Sequence, residues 1–247
     1  LGADAEIHIE GLDRGRASQL IFRATAEIER LESVFSLYRP DSEVSRLNRD
    51  GVLHNPSHDF RLLLARSLDF HERTDGAFNI AVQPLWVHLA RRFAEHQDPS
   101  LPPSLDGMLA LCNPARISAS PSRIVIGAGM GLTFNGIAQG YITDAVAALF
   151  RHEGLQDILI SLGETLALPG RPWVVAIAGE EEHVVHLRDG AIAQSSGRST
   201  VFTADGRWHH LIDPWTGASA NRFRAMTVQA PTATEAIWLA TPYLGMR

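Results

Sequence analysis

The sequence predicts an α+β fold. Three observations carry that expectation. Amphipathic helical stretches occur near the N-terminus, in the middle and at the C-terminus. Short apolar strands come in runs joined by tight turns, and no regular βαβ alternation orders them. The 247 residues suffice for one large domain or two small ones with a sizeable core.

Taken in order, Ala5–Glu10 alternates apolar and polar residues, with Ala5, Ile7 and Ile9 on one face, and reads as a strand. Ile21, Ala24, Ile28, Leu31 and Phe35 then recur at three- and four-residue spacing, the stripe of a long helix. Arg39-Pro40-Asp41-Ser42 breaks it, and Asp41 or Ser42 suits the cap of a short helix through Leu47. A second helix fits Asp59–His71, with Phe60, Leu63, Leu64 and Leu68 inward and Thr74-Asp75-Gly76 closing it. From Glu95 to Pro121 the chain is rich in Pro, Ser and Asp and reads as a long surface excursion or weak internal boundary, at 95–121, within a single domain over 1–247.

Ile124–Ile126 is a short strand, and the glycine-rich Gly127–Gly131 leads to Leu132–Phe134 and Asn135-Gly136. The helix Tyr141–His152 follows, with Ile142, Ala145, Val146, Leu149 and Phe150 on one face. Strands are expected at Asp157–Leu162, Trp173–Ala178, His183–Leu187 and Ala191–Gln194, the last two joined by Asp189-Gly190. Val201–Ala204 and Arg207–Leu211 flank Asp205-Gly206, a hairpin signal. Ala225–Ala230 is a further strand, and Thr232–Leu244 a terminal helix after Pro231.

Composition excludes several classes. Apolar residues make up 45% and charged residues 20%, which is not the composition of a disordered chain. The net charge of −6 argues against a dedicated nucleic-acid binder, which needs a basic face. A single cysteine, Cys112, allows neither an intramolecular disulfide nor a Cys-rich zinc site. No transmembrane segment is expected, because no apolar run reaches the roughly 18 residues that span a bilayer. No signal peptide is visible, and the chain opens at Leu1-Gly2 without a Met, which leaves the compartment open.

Four constellations carry chemistry. Thr133-Phe-Asn-Gly-Ile-Ala-Gln-Gly-Tyr-Ile-Thr-Asp144 ends a strand, places two glycines four apart and opens a helix, an arrangement suited to phosphate. Asp75-Gly-Ala-Phe-Asn79 offers small residues beside Phe78 as a wall for a planar ring. In His209-His210-Leu-Ile-Asp213-Pro214-Trp-Thr-Gly217, His210 suits a general base or phosphate ligand, and strand alternation sends His209 to the opposite face. Ile237 and Thr241, four apart, share a face of the last helix. Each pattern alone also fits an ordinary turn, cap or helix end.

In order, these motifs resemble the ApbE-like FAD:protein FMN transferases. The resemblance covers nearly the whole chain: Leu1-Gly2, Leu31-Glu-Ser-Val-Phe-Ser-Leu-Tyr-Arg-Pro-Asp-Ser-Glu-Val-Ser-Arg-Leu-Asn48, Gly76-Ala-Phe-Asn79, Gly136-Ile-Ala-Gln-Gly-Tyr141, Ser196-Gly197, His210-Leu-Ile-Asp-Pro-Trp-Thr-Gly217 and Ala230-Pro231 through Leu239-Ala-Thr241. It implies two related antiparallel-sheet-and-helix halves, FAD as substrate, a divalent cation (Mg²⁺), and transfer of FMN to a threonine of an acceptor protein with release of AMP. It implies FAD contacts at Leu1, Tyr38, Ala77, Phe78, Asn79, Thr133, Gly136, Gln139, Gly140 and Leu211, with Tyr38 and Phe78 stacking on rings. It implies His210 as the catalytic residue, Ala138 (through its carbonyl) and Thr241 as metal ligands, and a periplasmic or membrane-anchored address at the cell envelope.

The sequence departs from the family pattern twice. The turn usually carries Asp, two glycines and Lys, where this chain has Thr133, Asn135, Gly136 and Gln139, so two charges are lost. The family's Asp four residues before the threonine falls on Ile237, which offers Mg²⁺ no oxygen. Glu235 is no substitute, because it points to a different helix face. The expected activity is therefore flavinyl transfer. The alternatives are a flavin-binding or flavin-delivery protein without catalysis and an FAD pyrophosphatase.

Overall fold

Helical periodicity sets the first long element of this computed structural model, which describes residues 4–95, 104–178 and 183–243. After strand β1 (Glu6–Ile9), helix α1 (Arg14–Phe35) buries Leu20, Ala24, Leu31, Val34 and Phe35. The stripe runs slightly off the expected one, since Ile21 and Ile28 are half-buried. Helix α2 (Glu43–Asp50) starts where Ser42 accepts a hydrogen bond from the Ser45 N–H, and Gly51 ends it at φ 71°. Strand β2 (Val52–His54) leads to α3 (His58–Arg73), which Ser57 caps through the Phe60 N–H.

The next segment differs from expectation. Gln83–Glu95 forms helix α4, which the sequence reading does not anticipate. Leu85, Leu89 and Phe93 recur every four residues and are buried, a helical stripe. The 95–121 excursion is also more structured than a loop. Residues 96–103 lie outside the described residues, but beyond them come α5 (Met108–Leu111), a single 3₁₀ turn at Pro114–Arg116 and β3 (Ser118–Ala119). Leu105, Met108 and Leu109 pack against Leu85, Leu89, Phe93 and Cys112, so burial holds this stretch against α4.

Strand β4 (Arg123–Val125) sits between β2 and β3 in an antiparallel three-stranded sheet. Helix α6 (Ala138–His152) begins three residues before the expected start. Then come β5 (Ile158–Ser161), β6 (Thr165–Ala167), β7 (Trp173–Ile177), β8 (His183–Leu187), β9 (Gly190–Ser196), β10 (Ala225–Ala230) and α7 (Ala233–Tyr243). A five-stranded sheet orders β1-β5-β6-β9-β10, with β1–β5, β5–β6 and β6–β9 antiparallel. Strands β7 and β8 pair only with each other, so the Asp189-Gly190 turn links β8 to a different sheet.

The expected hairpin at 201–211 contracts to one bridge, Val201 with His209, around a turn at Gly206 (φ 71°). Backbone bonds remain from the Phe202 N–H to the Trp208 carbonyl and from the His210 N–H to the Thr200 carbonyl, and the Thr203 hydroxyl donates to Asp205 and accepts from the Trp208 N–H. Phe202 and Trp208 turn instead onto the α4 cluster, so burial of two aromatics outweighs further strand pairing.

Residues group into two compact units. The first comprises 1–32, 137–194 and 227–240, and the second 33–136, 195–226 and 241–247. In the first, α6 packs on β5 and β6, and Ile142, Val146, Phe150, Ile158, Ile160 and Leu166 are buried. In the second, Phe35, Phe60 and Phe134 form an aromatic centre, Phe134 lying edge-on to both others at 5.3 Å between ring centroids.

One polar contact in the first unit fixes α7. Asp144, on α6, accepts from the Ala233 N–H at 2.8 Å and from the Thr234 N–H at 2.9 Å, and also takes the Thr234 hydroxyl. A side chain ninety residues away thus satisfies the otherwise unpaired donors that open the helix. Asp144→Ala should cost about 2 kcal/mol, the scale of a lost cap and charge-assisted hydrogen bonds. Urea unfolding measures it, and a loss below about 0.5 kcal/mol would show that water caps α7 equally well.

Candidate functional site

In the second unit, the end of α3 builds a rigid loop. The Thr74 hydroxyl donates to the Phe70 carbonyl and accepts from the Phe78 N–H at 2.9 Å. His71 Nδ1 donates to the Phe78 carbonyl, also at 2.9 Å. Gly76 takes φ 91°, a conformation that favours glycine, and a Cβ there would stand 3.3 Å from His71 and 3.4 Å from the Trp215 indole. Phe78 lies in the core, edge-on to Phe70 and 4% exposed, so its ring is not an open stacking face. Ala77 and Asn79 are half-buried, and Asn79 caps the following 3₁₀ turn while donating to the Cys112 carbonyl. A cavity of about 360 Å³ opens beside this loop, lined by His71, Gly76, Asn79, Cys112 and Trp215 among others, within the size range of ligand pockets.

The same unit brings Phe78, Gly136 and Thr241 together. A Cβ on Gly136 would stand 3.5 Å from Phe78 and 3.6 Å from the Thr241 methyl, ordinary contact distances. Thr241 Oγ1 lies 3.5 Å from Ser195 Oγ, a partner that the sequence reading passed over. Thr133 holds the approach to Gly136 in place: its N–H donates to the Ile80 carbonyl and its hydroxyl accepts from the Asn135 N–H. Tyr38 projects from the surface at 83% exposure, free to meet a planar ring.

His209 and His210 do not follow strand alternation, because no regular strand forms there. Their ring centroids lie 6.3 Å apart. His209 is buried, bonded through Nε2 to Asn221, with its ring where a Cβ on Gly197 would clash at 2.7 Å. His210 is half-buried, and its Nδ1 stands 3.1 Å from the Thr200 carbonyl. A carbonyl only accepts, so Nδ1 carries the proton and Nε2 keeps its lone pair. Burial holds both imidazoles below their ordinary pKa, His210 also feeling His209. Leu211 is half-buried beside them, and Leu1 lies outside the described residues.

In the first unit, Ala138, Gln139 and Gly140 form the first turn of α6. Ile137 stands at the cap position and supplies no side-chain hydrogen bond. Gly140 answers to packing: a Cβ there would lie 2.5 Å from the Ala233 carbonyl oxygen and 2.7 Å from Ile237 Cγ2. The missing side chain admits α7. Ile237 is 7% exposed and presents hydrocarbon to this turn, so the face expected to bear a carboxylate cannot hold a hard cation. On the other flank, a Cβ on Gly163 would lie 2.8 Å from the Gln139 amide nitrogen.

Glu164, next to Gly163, was not anticipated. Its side chain is buried at 4% exposure, and Oε2 has no hydrogen-bond partner. Burial first, and the Asp144 charge second, push its carboxyl up from 4.5 to about 8. A lone acid inside the apolar run Ile158–Leu168 was the available signal. Among the described residues no three His, Cys, Asp or Glu side chains gather as a metal cluster, and no helix is long and apolar enough to cross a membrane.

The model of the ApbE family matches residues 1–247. The chain belongs to the ApbE family. Curated ApbE relatives named FAD:protein FMN transferase include one from Haemophilus influenzae, 28% identical over 95% of this chain and 75% of its own length. The Escherichia coli K12 relative of that name is 29% identical over 92% of this chain and 71% of its own length. Solved ApbE structures share the fold. The Vibrio cholerae flavin transferase ApbE, as its H257G mutant, has a TM-score of 0.80 at 24% identity, covering 96% of this chain and 82% of that one. The Thermotoga maritima ApbE protein gives 0.80 at 21%, covering 97% and 82%. The α+β class with antiparallel sheets agrees with them.

Glu164 gives a pH test. Its folded pKa is above its unfolded value, so its share of stability is complete below about pH 4.5 and is lost as pH rises through about 8. In EDTA, the melting temperature of Glu164→Gln minus that of the unaltered chain should grow steadily from pH 4.5 to 8.5. A constant difference would mean that the buried carboxyl titrates normally.

Proposed function

We propose that this chain is a flavinyltransferase that moves FMN from FAD onto a threonine hydroxyl of an acceptor protein and releases AMP. The observation that carries the reading is the ApbE match along the whole chain, with relatives that share one enzyme name over more than nine-tenths of it. The alternatives of flavin delivery and FAD hydrolysis have no comparable support.

The residues suit the chemistry. The threonine oxygen attacks the phosphorus that stays with FMN, the P–O bond to the AMP phosphate breaks, and AMP leaves with the bridging oxygen. Such a step needs alignment and charge neutralisation more than covalent help from the enzyme. Within the first unit, the uncapped first turn of α6 presents N–H groups and the positive end of a dipole, which suit an anion. His210 is the base of this reading: held neutral by burial, with Nε2 unprotonated, it takes the threonine proton. Tyr38 offers an exposed ring for the flavin or adenine. A divalent cation, when bound, would offset the diphosphate charge. Ile237 offers it no oxygen.

Incubation with FAD, Mg²⁺ and a threonine-containing acceptor peptide should yield AMP and a peptide carrying FMN. AMP without modified peptide would mean hydrolysis, and FAD binding without AMP would mean a binding protein. His210→Ala should lower transfer about 100-fold or more, the usual worth of a general base, while FAD affinity changes less than about threefold. Equal rates would remove His210 from the mechanism.

A further inference from the structure

The face that α7 turns to the first turn of α6 is hydrocarbon. A Cβ on Gly140 would lie 2.7 Å from Ile237 Cγ2, so the isoleucine methyl rests against the glycine and leaves no space for a water between them. Ile237 is buried, and so are Ala233, Ala236 and Ala240 on the same helix.

The carboxylates of the first unit that could compensate are committed elsewhere. Asp144, on α6 itself, accepts from the Ala233 and Thr234 N–H groups, so it cannot turn to a cation without uncapping α7. Glu153, just past the end of α6, pairs with Arg16 and Arg23. Glu235 is exposed to solvent on α7. Burial keeps Glu164 neutral near pH 7, and a protonated carboxyl is a poor ligand for a metal ion.

We propose that this chain holds FAD without a divalent cation, because Ile237 makes a hydrocarbon contact where a cation would need an oxygen ligand. The proposal rests on the flavinyltransferase reading, which supplies FAD as the ligand, and it departs from the Mg²⁺ that the family resemblance implies. Mg²⁺ binds proteins through one or two carboxylates, with substrate phosphates and water completing its shell. By linkage, it can tighten FAD binding only if it binds the protein–FAD complex more strongly than it binds free FAD. Free FAD already offers the diphosphate oxygens and water. A protein carboxylate is the extra attraction, and position 237 has lost it. What the first unit keeps for an anion at that turn is the helix start, which no side chain caps.

Titration of the full chain with FAD, followed by flavin fluorescence in EDTA and in millimolar Mg²⁺, tests the proposal. Electron paramagnetic resonance of Mn²⁺, a stand-in for Mg²⁺, reads the metal itself. The FAD affinity of the unaltered chain should differ by less than about threefold between the two conditions, and the Mn²⁺ signal of its FAD complex should match that of FAD alone. Ile237→Asp should make Mg²⁺ tighten FAD binding by about tenfold or more, and Mn²⁺ should become immobilised in the complex. Ile237→Asn, which adds an oxygen without a charge, should fall between the two. Circular dichroism confirms that each variant is folded, and the Asn variant serves if the Asp variant is not. Tightening by Mg²⁺ of about threefold or more in the unaltered chain, or immobilised Mn²⁺ in its FAD complex, overturns the proposal. A folded variant with no metal response also overturns it, because Ile237 would then not be the cause. Absence of FAD binding in every condition overturns the flavinyltransferase reading, and the proposal falls with it.

Discussion

The close approach of α6 and α7 is the constraint on which the first unit depends. Gly140 removes the one atom that would keep the helices apart, and Asp144, one turn along, closes the contact by holding the start of α7. Any side chain at 140 would have to push against backbone, which cannot yield as a flexible side chain can. The two residues act on different physics, one steric and one electrostatic, and they fix both the separation and the register of α7. The position of Ile237 beside the first turn of α6 follows from that register.

This arrangement fixes what surrounds the first turn of α6. A helix start without a side-chain cap keeps donors available for an anion. Packing α7 against it leaves the β5–β6 turn as the other neighbour, and that turn carries the buried acid.

Much of this was legible in the sequence, for reasons that particular residues show. Helices α1, α3 and α6 announce themselves because their apolar residues repeat at helical spacing over three or more turns. Strands β8 and β10 were bounded correctly by their alternation and flanking turns. Helix α4 is unanticipated because its apolar stripe of Leu85, Leu89 and Phe93 has only three members, although the proline near its start is well tolerated in a first helical turn. The 201–211 segment failed the other way. Its Asp-Gly turn is local and forms, but strand pairing is decided by where Phe202 and Trp208 are buried, which no local pattern states. The site divides along the same line. Motif order pointed to Gly136, Phe78 and Thr241, which the second unit does bring together. The reason for Gly140 needed the position of α7, and Glu164 needed the knowledge that its turn is covered.

The account turns on the close approach of α6 and α7 at Gly140. Urea unfolding of Gly140→Ala tests it most directly. Alanine favours an isolated helix over glycine by about 1 kcal/mol, but the account predicts a net loss of about 2 kcal/mol or more, because the new Cβ would meet the Ala233 carbonyl oxygen at 2.5 Å. Unchanged or raised stability of Gly140→Ala would contradict it.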